Sequence, residues 1–267
     1  MIVAGCDVGS LTSKAVVMEC SSGRARIKGS AMIRSRARPQ QSADEVMQAA
    51  LDEARAALLD IACCVGTGYG RGRIAFVHET VSEIQCHGCG AHWLLPSAKT
   101  VIDIGGQDCK VIQLDDKGRV TDFATNDKCA SGTGRFLEVM AKVLNIDLNE
   151  LGRLSARSTA PVTFASTCTV WAQADVIEHI NNESPVADIA AGINTAMAGR
   201  VALLVNRLGV KKDVCMTGGV SKNKGVVSTL EGLIGCGIKR IRKADAQLAG
   251  AIGAALIAEE KAKGRST

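Results

Sequence analysis

The sequence predicts an α/β fold built from two related domains. Three observations lead to this prediction: a strand–turn–strand–turn–strand pattern opens the chain, nearly the same pattern returns 96 residues later, and helical patterns follow each copy. The chain has 267 residues, of which 46% are hydrophobic and 22% are charged, so it can bury a sizeable core and is not disordered as a whole. A repeated three-stranded unit indicates two domains, each with its own sheet.

The first copy occupies the first 34 residues. Apolar runs at 2–6 and 14–20 and a third strand at 25–34 are separated by the turns DVGS and SSGR. These turn residues tolerate positive φ or bond to their own backbone, as tight connections between strands require. This pattern predicts three consecutive antiparallel strands.

The second copy covers residues 100–123 and has the same order of strands and turns. Three residue types keep identical offsets in the two copies: Asp7, Gly9 and Lys14 in the first, and Asp103, Gly105 and Lys110 in the second. Coincidence between two hairpins is the alternative, but the agreement of all three offsets favours an internal duplication.

Helical spacing of apolar residues fills most of the remaining chain. Helices are predicted over 42–60, 79–94, 132–144, 147–154, 169–182, 186–208, 221–235 and 245–262. We expect Ser42 to cap the first of these, and we expect the Ala/Gly-rich side of the last to approach another backbone closely. We predict an N-terminal domain over 1–95 and a C-terminal domain over 96–244, with the helix 245–262 packing where the domains meet.

Composition excludes several classes of function. Only seven residues are aromatic and the net charge is +5, from 32 basic and 27 acidic residues, so no nucleic-acid partner is expected. No apolar run reaches the ~18 residues of a membrane span, and the N-terminus has no secretory signal pattern. The chain has 11 cysteines. We therefore expect a cytoplasmic protein with reduced thiols, which are available for metal or cluster binding.

The turn after the first strand has the composition of a phosphate-binding hairpin. Its candidate ligands are Asp7, Gly9, Ser10, Thr12, Ser13 and Lys14. A strand that ends in D-x-G and turns back exposes several backbone N–H groups, and glycine lets a phosphate come close to them. The hydroxyls and the lysine add donors, and Asp7 could hold Mg²⁺ through water. An ordinary hairpin turn would have the same pattern.

The second copy repeats this turn as Asp103-Ile104-Gly105-Gly106-Gln107-Asp108. Gln107 and Asp108 could orient a water for attack on a terminal phosphate. A third motif, Gly218-Gly219, follows a short strand, precedes a helix and suits close approach of a nucleoside, although such a pair is often only a loop. The P-loop pattern is missing.

Together these three motifs resemble those of the actin, sugar kinase and Hsp70 ATPase superfamily. The resemblance implies two duplicated ribonuclease H-like domains around a nucleotide cleft that binds ATP or ADP with Mg²⁺. It implies Asp7, Asp103 and Gln107 as the catalytic residues, and the turn residues with Gly218 and Gly219 as nucleotide ligands.

Two cysteines stand next to small residues ahead of predicted helices. Cys129 lies in NDKCASGTGRF, with Gly132 and Gly134 after it, and Cys168 lies in STCTV. Amide groups at a helix N-terminus favour a thiolate, and small neighbours leave room for an inorganic group. Two thiols are too few for a cluster, but a symmetric dimer would supply four. The alternative is that both are buried as small hydrophobic residues.

The other nine cysteines lie mostly in apolar runs and are expected in the core. Cys86 and Cys89 form a C-x-x-C pattern with His87 and His92 nearby, which leaves zinc open as an alternative. No second C-x-x-C or histidine pair completes such a site.

Five segments extend the resemblance over the chain from Asp7 to Leu256: TGYGR, VIDIGGQD, NDKCASGTGRFLEVMA, STCTV and GAIGAAL. They are similar to the activators (ATPase components) of 2-hydroxyacyl-CoA dehydratases and to the related ATPase subunits of ATP-dependent benzoyl-CoA reductase. The resemblance implies an oxygen-sensitive homodimer, or a related heterodimer, with one [4Fe–4S] cluster held by Cys129 and Cys168 of each chain. It also implies a ferredoxin or flavodoxin donor and an iron–sulfur dehydratase or reductase as acceptor.

One segment departs from the family pattern. After STCTV the family continues Phe-Ala-Glu-Ser-Glu, whereas this chain has Trp171-Ala172-Gln173-Ala174-Asp175. Three alternatives remain open: a small-molecule kinase of the same superfamily, a reductase of a double-cubane cluster protein, and a redox sensor that uses nucleotide only structurally. For the leading hypothesis, we expect the helix after Cys129 to couple the nucleotide to the thiolate loop.

Overall fold

Two five-stranded sheets with the same strand order form the framework of the protein. A computed structural model describes residues 1–21, 23–126, 129–165 and 168–265. The first sheet contains β1 (Ile2–Val8), β2 (Thr12–Ser21), β3 (Arg24–Arg34), β4 (Ile61–Thr67) and β5 (Glu79–Thr80). The second contains β6 (Thr100–Ile104), β7 (Cys109–Leu114), β8 (Val120–Thr125), β9 (Val214–Thr217) and β10 (Ile238–Lys239).

The strand orders are β3-β2-β1-β4-β5 and β8-β7-β6-β9-β10, so each strand of the first sheet has its counterpart five strands later. In the first sheet β1 pairs antiparallel with β2 and parallel with β4. The duplicated α/β architecture predicted from the offsets of Asp, Gly and Lys is therefore confirmed.

Eight α-helices accompany the sheets in the described part of the chain. They are α1 (Pro39–Ala54), α2 (Glu83–Leu94), α3 (Gly134–Val143), α4 (Leu148–Ser155), α5 (Thr169–Asn181), α6 (Val186–Leu208), α7 (Lys224–Ile234) and α8 (Ala249–Arg265). Two compact units contain these elements. The first unit comprises residues 1–101, 112–121 and those from 241 onward, and the second comprises 102–111 and 122–240. The domain limits drawn from the sequence stay a prediction.

The first helix differs from its prediction at both ends. It begins at Pro39, whose fixed φ suits a first helical turn, and Ser42 lies inside it. The Ser42 hydroxyl accepts a hydrogen bond from the Arg36 amide at 2.8 Å instead of capping the helix. The helix ends at Ala54, and a single 3₁₀ turn at 58–60 leads into β4, a strand that the sequence analysis missed. Apolar spacing continues through this turn, so periodicity alone gives no stop signal.

Helix α8 packs against α2 and β1 at distances that only glycine allows. A Cβ atom at Gly253 would lie 1.8 Å from the Cys86 carbonyl oxygen, and one at Gly90 would lie 1.9 Å from the Ala249 carbonyl oxygen. Gly5 on β1 meets the Ala251 carbonyl oxygen in the same way, at 2.1 Å. The close backbone approach expected from the Ala/Gly-rich side of this helix is confirmed within the first unit.

Helix α6 is the central helix of the second unit. It is the one described helix whose length and composition would allow it to cross a membrane, but 72% of its most apolar window is buried inside the protein. Ile189, Ile193 and Met197 on α6 pack in the same core as Phe136 and Met140 of α3. A core position therefore accounts for its apolar composition.

The contact between α2 and α8 predicts a steric cost for one methyl group. Gly253→Ala should lower the Tm by about 2–12 °C, since overpacking costs about 1–3 kcal/mol and each kcal/mol shifts the Tm of such a domain by about 2–4 °C. Gly264→Ala on the same helix, where a Cβ meets no atom within 4 Å, should leave the Tm unchanged or raise it. Equal Tm values for the two variants in calorimetry would contradict this packing.

Candidate functional site

The predicted phosphate turn of the first unit is built around a buried carboxylate. Asp7 ends β1 with 3% exposure, and the Lys14 ammonium lies 3.3 Å from its Oδ2 atom. Lys14 also donates to the Thr12 carbonyl oxygen at 3.2 Å. A Cβ at Gly9 would lie 2.7 Å from that same oxygen, so the turn requires glycine there. The predicted turn is present, with its lysine folded back onto the aspartate.

The three hydroxyls of this turn do not face the same way. Ser10 and Thr12 are partly exposed, whereas Ser13 is fully buried. The Ser13 hydroxyl shares a 2.8 Å hydrogen bond with that of Ser35, which donates to the Gly9 carbonyl oxygen at 2.7 Å. Ser13 therefore supports the turn from the interior, and Ser10 and Thr12 offer their hydroxyls at its surface.

The second unit repeats the buried pair. Asp103 is 2% exposed at the end of β6, and its Oδ2 atom lies 3.6 Å from the Lys110 ammonium. Lys110 also lies 2.7 Å from Asp108 Oδ2, and Asp103 Oδ1 accepts a hydrogen bond from the Thr217 hydroxyl at 2.7 Å. A buried ion pair adds little net stability because both charges lose water. Both units thus hold a buried carboxylate whose charge a neighbouring lysine compensates.

The Gly-Gly loop lies directly beside this second turn. Gly218 has φ +80°, and a Cβ there would lie 2.2 Å from the Ile104 carbonyl oxygen and 3.1 Å from Asp103 Oδ1. Gly219 begins a single 3₁₀ turn ahead of α7. Gln107 is exposed at the tip of the neighbouring turn, next to the half-buried Gly106. The second unit thus brings the predicted catalytic glutamine, carboxylate and nucleoside loop together.

The Cys129 loop is held against β7 by one amide side chain. Asn126 accepts a hydrogen bond from the Cys109 amide at 2.7 Å and donates to the Cys129 carbonyl oxygen at 3.1 Å. Gly132 has φ +85° and would place a Cβ 3.2 Å from that of Arg200 on α6. A cavity of about 260 Å³ opens beside the loop, lined in part by Cys129 and Arg200. Asp127 and Lys128 of the predicted motif lie outside the described residues.

The loop after Cys129 leads into a helix that is hydrogen-bonded directly to the predicted phosphate turn of the second unit. The amides of Gly134 and Arg135, the first two residues of α3, donate to the carbonyl oxygens of Gly105 and Gly106, each at 2.9 Å. The Gly134 amide is thus used inside the protein. Cys129 lies five residues ahead of this junction. The helix predicted over 132–144 therefore begins two residues later than expected, at Gly134, and ends at Val143.

Cys168 occupies the position predicted for it, as the N-cap residue of α5. Its side chain is exposed, and Val170 and Trp171 on the next turn are 68% and 65% exposed. Ser166 and Thr167 lie outside the described residues. Asp175, one of the departures from the family pattern, accepts a hydrogen bond from the Ala165 amide at 3.1 Å. The shortened carboxylate therefore holds the segment that leads to Cys168.

The thiols fit a cluster only if two chains share it. Within the described residues no three or more His, Cys, Asp or Glu side chains form a metal-binding group, so the two predicted ligands of one chain, the half-buried Cys129 and the exposed Cys168, do not complete a site by themselves. Burial raises the pKa of Cys86 and of Cys89 to about 12, which keeps both protonated. At that C-x-x-C pattern the described residues offer no group of three metal ligands that would hold zinc.

Three residues of the site were missed by the sequence analysis. Thr217 bonds to Asp103, Asn126 holds the Cys129 loop, and His87 lies beside Asp7. Thr217 and Asn126 are immediate neighbours of the motifs that the analysis did identify. His87 has no such signal, because α2 is distant from Asp7 in the chain.

Comparisons with known proteins agree with this geometry. The model of the BadF/BadG/BcrA/BcrD ATPase family matches residues 4–258. The (R)-2-hydroxyglutaryl-CoA dehydratase activating ATPase of Acidaminococcus fermentans is 43% identical, over 97% of each chain. One of the benzoyl-CoA reductase subunits of Thauera aromatica is 33% identical over 96% of this chain and 92% of its own.

Solved structures agree as well. The activator of the 2-hydroxyisocaproyl-CoA dehydratase from Clostridium difficile with bound ADPNP superposes with a TM-score of 0.93 at 41% identity, covering 100% of this chain and 97% of that one. A ROK hexokinase from Thermus thermophilus, 14% identical with a TM-score of 0.51 over 99% of this chain and 100% of its own, shares the fold alone. The actin-like ATPase and sugar kinase fold predicted from the motifs is confirmed.

The buried pair in the second unit predicts a large loss of stability for one substitution. Lys110→Met should lower the free energy of unfolding by about 3–5 kcal/mol, because it leaves Asp103 buried without its cation. Lys99→Met, which removes a pair with the exposed Asp116, should cost no more than about 1 kcal/mol. Urea unfolding measures both free energies. Similar losses for the two variants would show that Asp103 does not depend on Lys110 to compensate its buried charge.

Proposed function

Because the chain belongs to the BadF/BadG/BcrA/BcrD ATPase family, we propose that it hydrolyses ATP to deliver low-potential electrons to an iron–sulfur protein that acts on CoA thioesters. The observation that carries this proposal is the pair of hydrogen bonds between the start of α3 and the Gly105–Gly106 turn. They connect a predicted nucleotide ligand to the loop of a predicted cluster ligand within one unit.

In this proposal both turns serve ATP binding. Asp7 and Asp103 orient water around Mg²⁺, and the amides of the Gly9 and Gly105 turns bind phosphate oxygens. The Gly218–Gly219 loop accommodates the nucleoside. Gln107, exposed at its turn, orients the water that attacks the terminal phosphate. The ADPNP-bound activator with 41% identity supports a nucleotide as the ligand.

Cys129 and Cys168 of two chains would hold one [4Fe–4S] cluster, which supplies one-electron chemistry at low potential. The exposed Cys168 thiol and the exposed apolar side chains of Val170 and Trp171 support an interface with a second copy of the chain. We propose a homodimer, or a heterodimer with a close relative. Asp175 and Asn126 then fix the two thiol-bearing segments.

The proposed coupling runs through α3. Phosphate bound at the Gly105–Gly106 turn would shift its backbone, and the hydrogen bonds from the Gly134 and Arg135 amides to the carbonyl oxygens of this turn would carry the shift to the Cys129 loop. Each 1.4 kcal/mol of difference between the nucleotide-bound and free states moves a one-electron potential by about 59 mV. A difference of a few times 1.4 kcal/mol would therefore lower the potential of the cluster enough to reduce an acceptor of lower potential.

The partners follow from the names of the relatives. A dehydratase of 2-hydroxyacyl-CoA thioesters is the proposed acceptor, since two relatives are named activators of such enzymes. A benzoyl-CoA reductase or a double-cubane cluster protein is the alternative acceptor. A ferredoxin or flavodoxin in the cytoplasm is the proposed donor. A small-molecule kinase would need none of these partners and no iron.

The cluster proposal predicts the outcome of two serine substitutions. Cys129→Ser and Cys168→Ser should each lose most of the iron and the brown colour of anaerobically purified dimer, which holds about four iron atoms per dimer for a [4Fe–4S] centre. Cys236→Ser, at a cysteine of intermediate exposure, should keep both. Full iron content in either of the first two variants would disprove the assignment, and a colourless wild-type protein would favour the kinase.

The hydrolysis proposal predicts a selective loss of turnover. Gln107→Ala should lower kcat for ATP hydrolysis by about 10²–10³-fold, the range lost with one positioning group, while changing KM little. The control is Gln48→Ala, which removes an exposed side chain on α1 that bonds to Asp52. Phosphate release assays measure both. A kcat within twofold of the wild type for Gln107→Ala would show that another residue orients the water.

A further inference from the structure

A buried histidine and the catalytic carboxylate proposed for the first unit border the same small space in the core. His87 lies on the second turn of α2 with 7% exposure. A Cβ atom at Gly250, near the start of α8, would lie 2.8 Å from His87 Nε2 and 2.9 Å from Asp7 Oδ2. Because Cβ atoms essentially never approach so closely, the imidazole and the carboxylate border a space too small for one methyl group.

The surrounding backbone leaves His87 little freedom to move away. Helix α2 meets α8 through Gly90 and Gly253, at contacts where an added Cβ would fall within 2 Å of a carbonyl oxygen. His87 lies between Cys86, whose carbonyl oxygen meets Gly253, and Gly90. The helix pair thus fixes the imidazole with respect to α8 and to the end of β1.

The backbone at Gly68 and the Lys14 side chain also lie against the oxygens of Asp7. A Cβ at Gly68 would lie 2.4 Å from Asp7 Oδ1, so the backbone covers that oxygen. The Lys14 ammonium lies 3.3 Å from Oδ2. Asp7 Oδ1 therefore lies against backbone, and Oδ2 borders both the Lys14 ammonium and the space beside Gly250 that His87 Nε2 also borders.

We propose that His87 is a positioning residue for Asp7: held in the space that Gly250 leaves open, its imidazole fixes the orientation of the carboxylate toward the Mg²⁺-nucleotide. This inference rests on the proposed function, in which Asp7 orients water around Mg²⁺. Residues that orient a metal-binding group from behind typically change metal affinity by 10–100-fold when they are removed. His87 was considered from the sequence only as a possible zinc neighbour, a role for which the described residues offer no third ligand.

The test measures nucleotide affinity with and without metal. Calorimetric titration gives the Kd for ADP with Mg²⁺ and the Kd for ADP in EDTA, using the full-length protein. His87→Leu should weaken Mg²⁺·ADP by about 10–100-fold and change metal-free ADP by less than about threefold. His87→Gln, which can place a polar atom near the position of Nε2, should recover at least part of the loss. Gly250→Ala should weaken Mg²⁺·ADP binding as His87→Leu does, because its methyl group would force the His87 imidazole and the Asp7 carboxylate apart.

The matched control is His92→Leu, on the same helix, where the ring packs against Gly118 and not against Asp7. It should leave both affinities unchanged. Equal weakening of Mg²⁺·ADP and metal-free ADP by His87→Leu, or no recovery in His87→Gln, would overturn the inference in favour of a packing role. If His87→Leu does not fold, His87→Gln and Gly250→Ala provide the test instead. If both variants bind Mg²⁺·ADP and metal-free ADP with wild-type affinity, the inference is overturned.

Asp7→Asn separates this inference from the proposed function. If Asp7→Asn binds Mg²⁺·ADP and hydrolyses ATP as the wild type does, the proposed role of Asp7 is wrong and the inference falls with it. If Asp7→Asn is impaired but His87→Leu stays within twofold of the wild type, only the role of His87 is refuted.

Discussion

Each sheet has a buried carboxylate near the end of its first strand, Asp7 on β1 and Asp103 on β6. This buried charge constrains which side chains can pack beside it. Asp7 and Asp103 are at most 3% exposed, and burying a charge costs several kcal/mol unless it is paired and hydrogen-bonded. Each therefore lies next to a lysine of the following strand, at 3.3 Å and 3.6 Å. The antiparallel register that opposes Asp7 and Lys14 is fixed by this pairing as well as by the core.

The two units satisfy the same constraint with different neighbours. In the second unit a hydroxyl from β9, Thr217, donates to the carboxylate, and Gly218 lets the next loop approach. In the first unit the space is closed by Gly250 of α8 and by His87 of α2. A duplicated strand pattern thus supports two chemically distinct carboxylate sites.

The connection from the Gly105–Gly106 turn to the Cys129 loop is short and made of backbone. Two amide-to-carbonyl hydrogen bonds join α3 to the Gly105–Gly106 turn, and four residues separate that junction from Cys129. Backbone contacts of this kind transmit displacement with little loss, because close-packed interiors have low compressibility. The same junction explains why Gly134 is needed: a Cβ there would lie 3.0 Å from the Gly105 carbonyl oxygen.

Local patterns of residue types at fixed spacing were enough to predict the duplication and the two D-x-G turns, whereas the roles of Cys129 and Cys168 as cluster ligands stay predictions. They also predicted α6 with the correct limits, since its apolar period is unbroken from Val186 to Leu208. They missed the start of α1 at Pro39, and they also missed its end at Ala54 and the strand β4, because apolar spacing continues across that break. The inward direction of Ser13 and the position of His87 at Asp7 emerged only from the folded chain. Both facts depend on which distant elements pack together, and for His87 the glycine contacts between α2 and α8, not any local pattern, set that packing.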